Sequence, residues 1–184
     1  FGLNIPSKAE ELRTMSLAES RIFFQLTQTS LVVANTGEPF TLRGLIAIVY
    51  GWTSTKRADT EFSPVPKDRK FTSDGDAEAE VNRLREEKQT ILSFSNQRAS
   101  EAGQQDQTVQ SYAGRALIEL LQNAVDASRE IPIGYKGLGF RSVLNLTDAP
   151  EIHSGHLHVR WSPGSAHEAV GAAAEKLPVL AFPQ

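Results

Sequence analysis

Three polar side chains, Glu119, Asn123 and Asp126, stand at i, i+4 and i+7 within ALIELLQNAVDA, residues 116–127. At 100° per residue this spacing puts a carboxylate, an amide and a second carboxylate in one narrow stripe of a helix. Backed by an apolar side made of Leu117, Leu120, Leu121, Ala124 and Val125, such a stripe can hold a metal-bound polar ligand. A few residues later comes a glycine loop: Gly134, Tyr135, Lys136, Gly137, Leu138, Gly139 and Phe140. Glycine lets a backbone approach a phosphate closely, and the N-terminus of a helix that follows favours negative charge. Each half read alone has a plainer account. The first is then the solvated face of an amphipathic helix, and the second a turn between two elements.

Taken together, the two halves resemble a known family. The stretch E-L-L-Q-N-A-V-D-A is similar to the N-box of the GHKL ATPases, the group of gyrases, heat-shock chaperones, histidine kinases and mismatch-repair proteins. The run I-G-Y-K-G-L-G-F-R-S-V, followed by T-D-A-P-E-I-H-S-G, resembles the phosphate loop and next strand of its sacsin-like branch. V-A-N-T-G-E-P-F, residues 33–40, resembles the family's second nucleotide motif, usually Asp-x-Gly-x-Gly. Asn35 then takes the Asp place, Gly37 the first Gly place, and Pro39 replaces the second Gly. An Asn can accept the same hydrogen bond through its amide oxygen, without the charge. By its residue types alone this segment is a turn leaving a hairpin.

The resemblance implies the Bergerat fold, an α/β (α+β) two-layer sandwich with a mixed, mostly antiparallel sheet covered by helices. It implies ATP and Mg²⁺ as cofactors, and slow Mg-dependent hydrolysis that drives lid closure or dimerisation of a larger multidomain protein. By family role, Glu119 is the general base that orients the attacking water, and Asn123 holds Mg²⁺. Asp126 and Ala127 line the base end of the pocket with Asn35 and Gly37. Gly134, Lys136, Gly137 and Gly139 face the phosphates, in a run that also takes in Tyr135, Leu138 and Phe140. Lys136 offers charge to the γ-phosphate. The expected partners are ATP or ADP, a second copy on ATP binding, and further domains of the same protein. The alternatives are an ATP-sensing module that does not hydrolyse, a histidine-kinase-like phosphotransfer domain, or a plain interaction domain. The kinase reading lacks a phospho-accepting helix pair in the sequence, and the intact Glu119, Asn123 and loop glycines speak against the last.

The order of the motifs departs from the family's, in which the N-box comes first. Here the Asn35 motif precedes the N-box, and only Ser128, Arg129 and Glu130 separate Ala127 from IPIGYKGLGF. A circular permutation, a coincidental second motif, or ordered segments joined out of their true sequence would each account for this. The third is preferred, because moving residues 21–57 to follow Ala127 restores the family order with every piece present once. It predicts departures from the usual Cα spacing of about 3.8 Å near residues 127–131, before Arg21 and inside 57–76.

The elements that must position these groups follow from pattern. Ser7 to Glu10 forms a capping box for a helix to about Ser20. RIFFQLTQ, residues 21–28, alternates with Ile22, Phe24 and Leu26 on one side, and LVVA, residues 31–34, completes a β-hairpin. Thr41 caps a helix carrying Leu42, Leu45, Ile46 and Val49. Residues 51–76 are polar with Pro64 and Pro66 and are expected to be a loop, the part from 57 flanking a lid. Residues 77–102 are expected to form one long surface helix, broken by GQQDQTVQ at 103–110 before the N-box helix begins near Ser111. Glu151–His153 and Leu157–Trp161 are expected to pair around Ser154, Gly155 and His156, and Ser165 to Glu168 to open a helix that Pro178 closes. His153, His156 and His158 lie close in sequence, but no carboxylate or cysteine partner is evident for a metal.

Composition sets the bounds. At 184 residues, 40% hydrophobic and 22% charged, the chain suits one domain over 1–184 with a real core. A formal charge of −3 gives no electrostatic argument for nucleic acid or an anionic membrane. There is no cysteine, which excludes disulfides and thiolate metal sites. No apolar run reaches the roughly 18 residues of a membrane span. The N-terminus lacks the layout of a signal peptide, so a cytoplasmic location is expected. The chain begins at Phe1 without a methionine, and a fragment of a longer protein is expected.

Overall fold

The computed structural model describes residues 22–28, 30–35, 38–51, 69–128, 138–171 and 176–184, without the side chains of Leu26, Asn35, 123–128 and Leu138. The expected helix over 7–20 lies outside these residues, as does most of the expected loop. Of the places expected to show irregular Cα spacing, those before Arg21, at 57–68 and at 129–131 also lie outside, while 69–76 and 127–128 are among the described residues.

Two strands, β1 (Ile22–Leu26) and β2 (Leu31–Asn35), form the expected antiparallel hairpin, with Phe24 opposite Val33. Thr41 caps α1 (Leu42–Tyr50), its hydroxyl accepting from Gly44 N–H at 3.4 Å. Gly51 ends α1 in the left-handed region at φ 68°, and its N–H closes on the Ala47 carbonyl. That is the usual glycine stop of a helix. Ser73 then caps α2 (Asp74–Ile91), so the helix starts inside the segment expected to be loop.

The single long helix expected over 77–102 is two. After Leu92–Phe94, α3 runs Ser95–Ser111, straight through the stretch expected to break it. Gly103 costs a helix about 1 kcal/mol relative to Ala. Tertiary contacts override that preference: Gln105 is buried and its side-chain oxygen accepts from Leu180 N–H at 3.1 Å. Further along, Asn145 donates to the Val109 carbonyl at 2.9 Å. The N-box helix α4 (Ala116–Ser128) begins after a turn over 112–115 in which Gly114 has φ 77°, five residues later than expected.

A short α5 (Leu138–Arg141) and a 3-10 turn (Ser142–Asn145) lead to β3 (Glu151–Ser154) and β4 (Leu157–Arg160), an antiparallel pair as expected. Gly155 (φ 60°) supplies the positive φ that a two-residue hairpin needs at its first central position. α6 (Pro163–Val170) is capped by Ser162, with Ser165 completing the box and Pro163 in the first turn. This corrects the box expected from Ser165 to Glu168: a proline fits the first helical position best, which moves the start forward. The helix ends at Val170, well before Pro178. A last 3-10 turn spans Val179–Ala181.

The fold is thus mixed α and β. Among the described residues the strands make two separate two-stranded antiparallel sheets, and no ladder joins them into the one sheet expected. The main core gathers Leu42, Leu45, Ile48 and Val49 of α1, Val81 and Leu84 of α2, Leu157 and Val159 of β4, Trp161 and Leu180. On β4, Leu157 and Val159 point inward while His158 and Arg160 face out, the two-residue period of a half-covered strand. A smaller cluster joins Leu92, Ala166, Leu177, Ala181 and Phe182. Among the described residues no helix is long and apolar enough to cross a membrane.

Candidate functional site

The elements that carry the three motifs meet. α4 packs against β2, whose last residue is Asn35, and against α5 and the 3-10 turn that follow the glycine loop. The second motif is tied to the T-D-A-P-E-I-H-S-G segment as well. Phe40 N–H donates to Ser154 Oγ at 2.8 Å, and Glu38 pairs with Lys70 beside it.

Within α4, Glu119 is the motif side chain that the structure describes. Its N–H closes the first turn on the Arg115 carbonyl at 3.0 Å. Its carboxylate accepts from Arg115 Nη2 at 3.3 Å, and the side chain is only 15% exposed. Arg115 is itself exposed, with its guanidinium 5.5 Å from the Tyr112 ring centre. Ala116 is buried, and Glu119 and Leu120 are half-buried, whereas Leu117 (47%), Ile118 (52%) and Leu121 (37%) face outward. The side of the helix expected to be backed by core is therefore the open one in part. Residues 116, 119 and 120 share one face at i, i+3 and i+4, and that face meets the rest of the protein. Glu119 is sheltered by this rotation.

The backbone of α4 carries Asn123, Asp126 and Ala127 one and two turns beyond Glu119, and β2 ends at Asn35. The side chains of these four, together with Gly37, Gly134, Tyr135, Lys136 and Gly137, lie outside the described residues. Leu138 opens α5, and Gly139 offers its carbonyl to Ser142 Oγ. Phe140 packs against Trp161, ring centres 5.8 Å apart. The expected passage from glycine loop into a short helix is present at its C-terminal end.

Two features next to this region were not legible beforehand. Arg141, the last residue of α5, is 4% exposed and donates from Nη2 to the Ile48 carbonyl of α1 at 3.1 Å. Lys88 of α2 is also buried and donates to Glu101 of α3 at 2.6 Å, with the Tyr50 ring 4.4 Å from its ammonium. Burial pulls the Lys88 ammonium below the usual lysine range, against the pull of Glu101. Burial lowers Arg141 too, with Glu101 again opposing. The Tyr50 phenol is pushed up, first by burial and then by Glu87. Two buried cations thus feel one half-buried carboxylate, Lys88 by direct contact and Arg141 through its field. An arginine or lysine among polar neighbours carries no sequence mark of burial.

Two of these three histidines do have carboxylate partners. His153 Nε2 meets Glu151 at 2.9 Å, His156 Nδ1 meets Asp74 at 2.8 Å, and His153 and His158 face each other across the hairpin with Nδ1 atoms 3.1 Å apart. Among the described residues no group of three or more His, Asp or Glu is arranged to hold a metal ion. A broad hollow of about 410 Å³ lies where α2 gives way to α3, lined in part by Leu92, Asn96 and Glu101, and it takes in none of the motif residues.

A scan against protein-family models and searches of curated proteins and of solved structures find no match to this chain.

Proposed function

We propose that this chain is a GHKL-type, Bergerat-fold module that binds ATP with Mg²⁺ and hydrolyses it slowly, working in the cytoplasm as part of a larger protein. One observation carries the reading: the helix bearing Glu119, Asn123 and Asp126 packs against both the strand that ends at Asn35 and the helix that leaves the glycine loop. The Asn35 strand, about eighty residues from this helix in the chain, would not need to meet it if the one were only a turn and the other a solvated helix face. The sheltered Glu119 supports the role of general base, since a carboxylate that activates water works best out of bulk solvent. In this reading Asn123 holds Mg²⁺, Asn35 and Asp126 take the adenine, and Lys136 with the loop glycines cradles the phosphates. Closure over the nucleotide, and pairing with a second copy, would then be the output.

Thermal unfolding with and without Mg-ATP tests this directly. A specific site saturated at about a hundred times its dissociation constant adds roughly 2.7 kcal/mol of stability. A clear upward shift with Mg-ATP, absent with Mg²⁺ alone, is the expected outcome. No shift at millimolar Mg-ATP would remove the nucleotide reading.

A further inference from the structure

The outer face of the β3–β4 hairpin carries two histidines directly opposite each other. The register pairs His153 with His158 and Glu151 with Arg160, and all four residues are exposed. The frame beneath them is fixed: Leu157 and Val159 are buried, and Trp161 N–H donates to the Pro150 carbonyl at 3.0 Å. Side chains on packed strands are held more precisely than side chains on loops. Nδ1 of His153 and Nδ1 of His158 are 3.1 Å apart. Zn–N bonds are about 2.0–2.1 Å long, so one ion bound to both nitrogens at that separation subtends about 95–102°. That angle lies between the right angle of square-planar copper or nickel and the wider angle of tetrahedral zinc. The ring centres are 5.4 Å apart, so the two nitrogens face each other, and a small rotation of each exposed ring turns both toward one ion.

Glu151 supplies a second, independent mark of a metal ligand. It lies two residues before His153, on the same face of the strand, and its carboxylate meets Nε2 of that ring at 2.9 Å. A carboxylate only accepts, so Nε2 holds the hydrogen and Nδ1 of the neutral ring keeps its lone pair. Metal-binding histidines are characteristically oriented in this way, by a carboxylate on the nitrogen away from the ion.

We propose that His153 and His158 chelate one divalent ion of the zinc, nickel and copper type, with Glu151 orienting His153 and water filling the remaining positions. Imidazole nitrogen suits these ions, whereas magnesium and calcium prefer oxygen. The hydrogen between the two Nδ1 atoms leaves as the ion enters, to Nε2 of His158 or to solvent. The bound ion clamps β3 to β4. Neither histidine has a part in the nucleotide reading, so this site stands or falls apart from it.

The test titrates Zn²⁺ alone into the full, untagged chain and its variants by calorimetry, with thermal unfolding recorded alongside. The parent is expected to bind one ion per chain, and excess Mg²⁺ to leave that binding unchanged. His153→Gln and His158→Gln are each expected to abolish it, since one imidazole cannot chelate. Glu151→Ala is expected to weaken it by roughly tenfold to a hundredfold, the usual cost of losing such an orienting group. His156→Gln and His167→Gln, at the other two histidines of the chain, are expected to bind as the parent does. All these positions are exposed, so each variant is expected to unfold near the parent's temperature. A parent that binds no stoichiometric Zn²⁺ overturns the proposal. So does parental affinity in His153→Gln or His158→Gln, or a loss in His156→Gln as large as theirs.

Discussion

The β3–β4 hairpin with α1, and the β1–β2 hairpin with α4, are built from the same local parts and end with opposite burial. On β4, Leu157 and Val159 are fully covered, while Phe24 of β1 is exposed. In α1, Leu42, Leu45, Ile46, Ala47, Ile48 and Val49 are all buried; in α4, Leu117, Ile118 and Leu121 face out. α1 is apolar around most of its circumference, so any orientation buries it. α4 is two-sided, and its orientation is chosen by what Ala116 and Glu119 pack against. Periodicity identifies a helix, but neighbours decide which side is covered. In this molecule the first region supplies stability, and the second keeps a carboxylate sheltered at some expense in apolar burial.

If that division holds, the largest losses of stability come from the packed body. Glu101→Gln leaves the buried Lys88 without its paired carboxylate, and removing one partner of such a pair costs about 3–5 kcal/mol when both are buried, an upper bound here because Glu101 is half-buried. Leu45→Ala, at a fully buried site of α1, should cost about 2–5 kcal/mol. Both are read from urea unfolding midpoints.

A smaller effect is confined to acid. Arg69, and after it the Thr72 N–H, hold the Asp76 carboxyl at about 2, below its ordinary 3.8. A depressed carboxyl contributes stability that is present above its unfolded value and lost as pH falls through its folded one. Stability should therefore fall between pH 3.8 and about 2, and Asp76→Asn should flatten that limb of the profile. An unchanged acid limb in Asp76→Asn would show that the Arg69 contact does not matter to folding.

The smallest effect belongs to the second region: Leu117→Ser should stay within about 0.5 kcal/mol of the parent. A loss as large as that of Leu45→Ala would mean that Leu117 is covered, and the contrast between the two helices would collapse.

The hairpins and the Thr41 cap were readable in the sequence because they rest on neighbours within a few residues: alternation in IFFQL and LVVAN, and a hydroxyl three residues before Gly44. The path of α3 was not, because Gly103 and the lack of apolar periodicity in GQQDQTVQ hide a helix that Leu180 and Asn145 hold from far along the chain. The same limit applies to the site. Motif spacing singled out Glu119, whereas the burial of Arg141 depends on Gly51 and Ile48, roughly ninety residues earlier.

The most direct test of the central claim separates Glu119 from Asn123, one helical turn apart in α4. Mg-ATP affinity by titration and turnover by phosphate release are measured on Glu119→Ala and Asn123→Ala. Glu119→Ala is predicted to bind Mg-ATP nearly as the parent does while hydrolysis falls on the order of 100–10,000-fold. Asn123→Ala is predicted to lose both. Parental hydrolysis in Glu119→Ala, or parental Mg-ATP affinity in Asn123→Ala, would contradict the account.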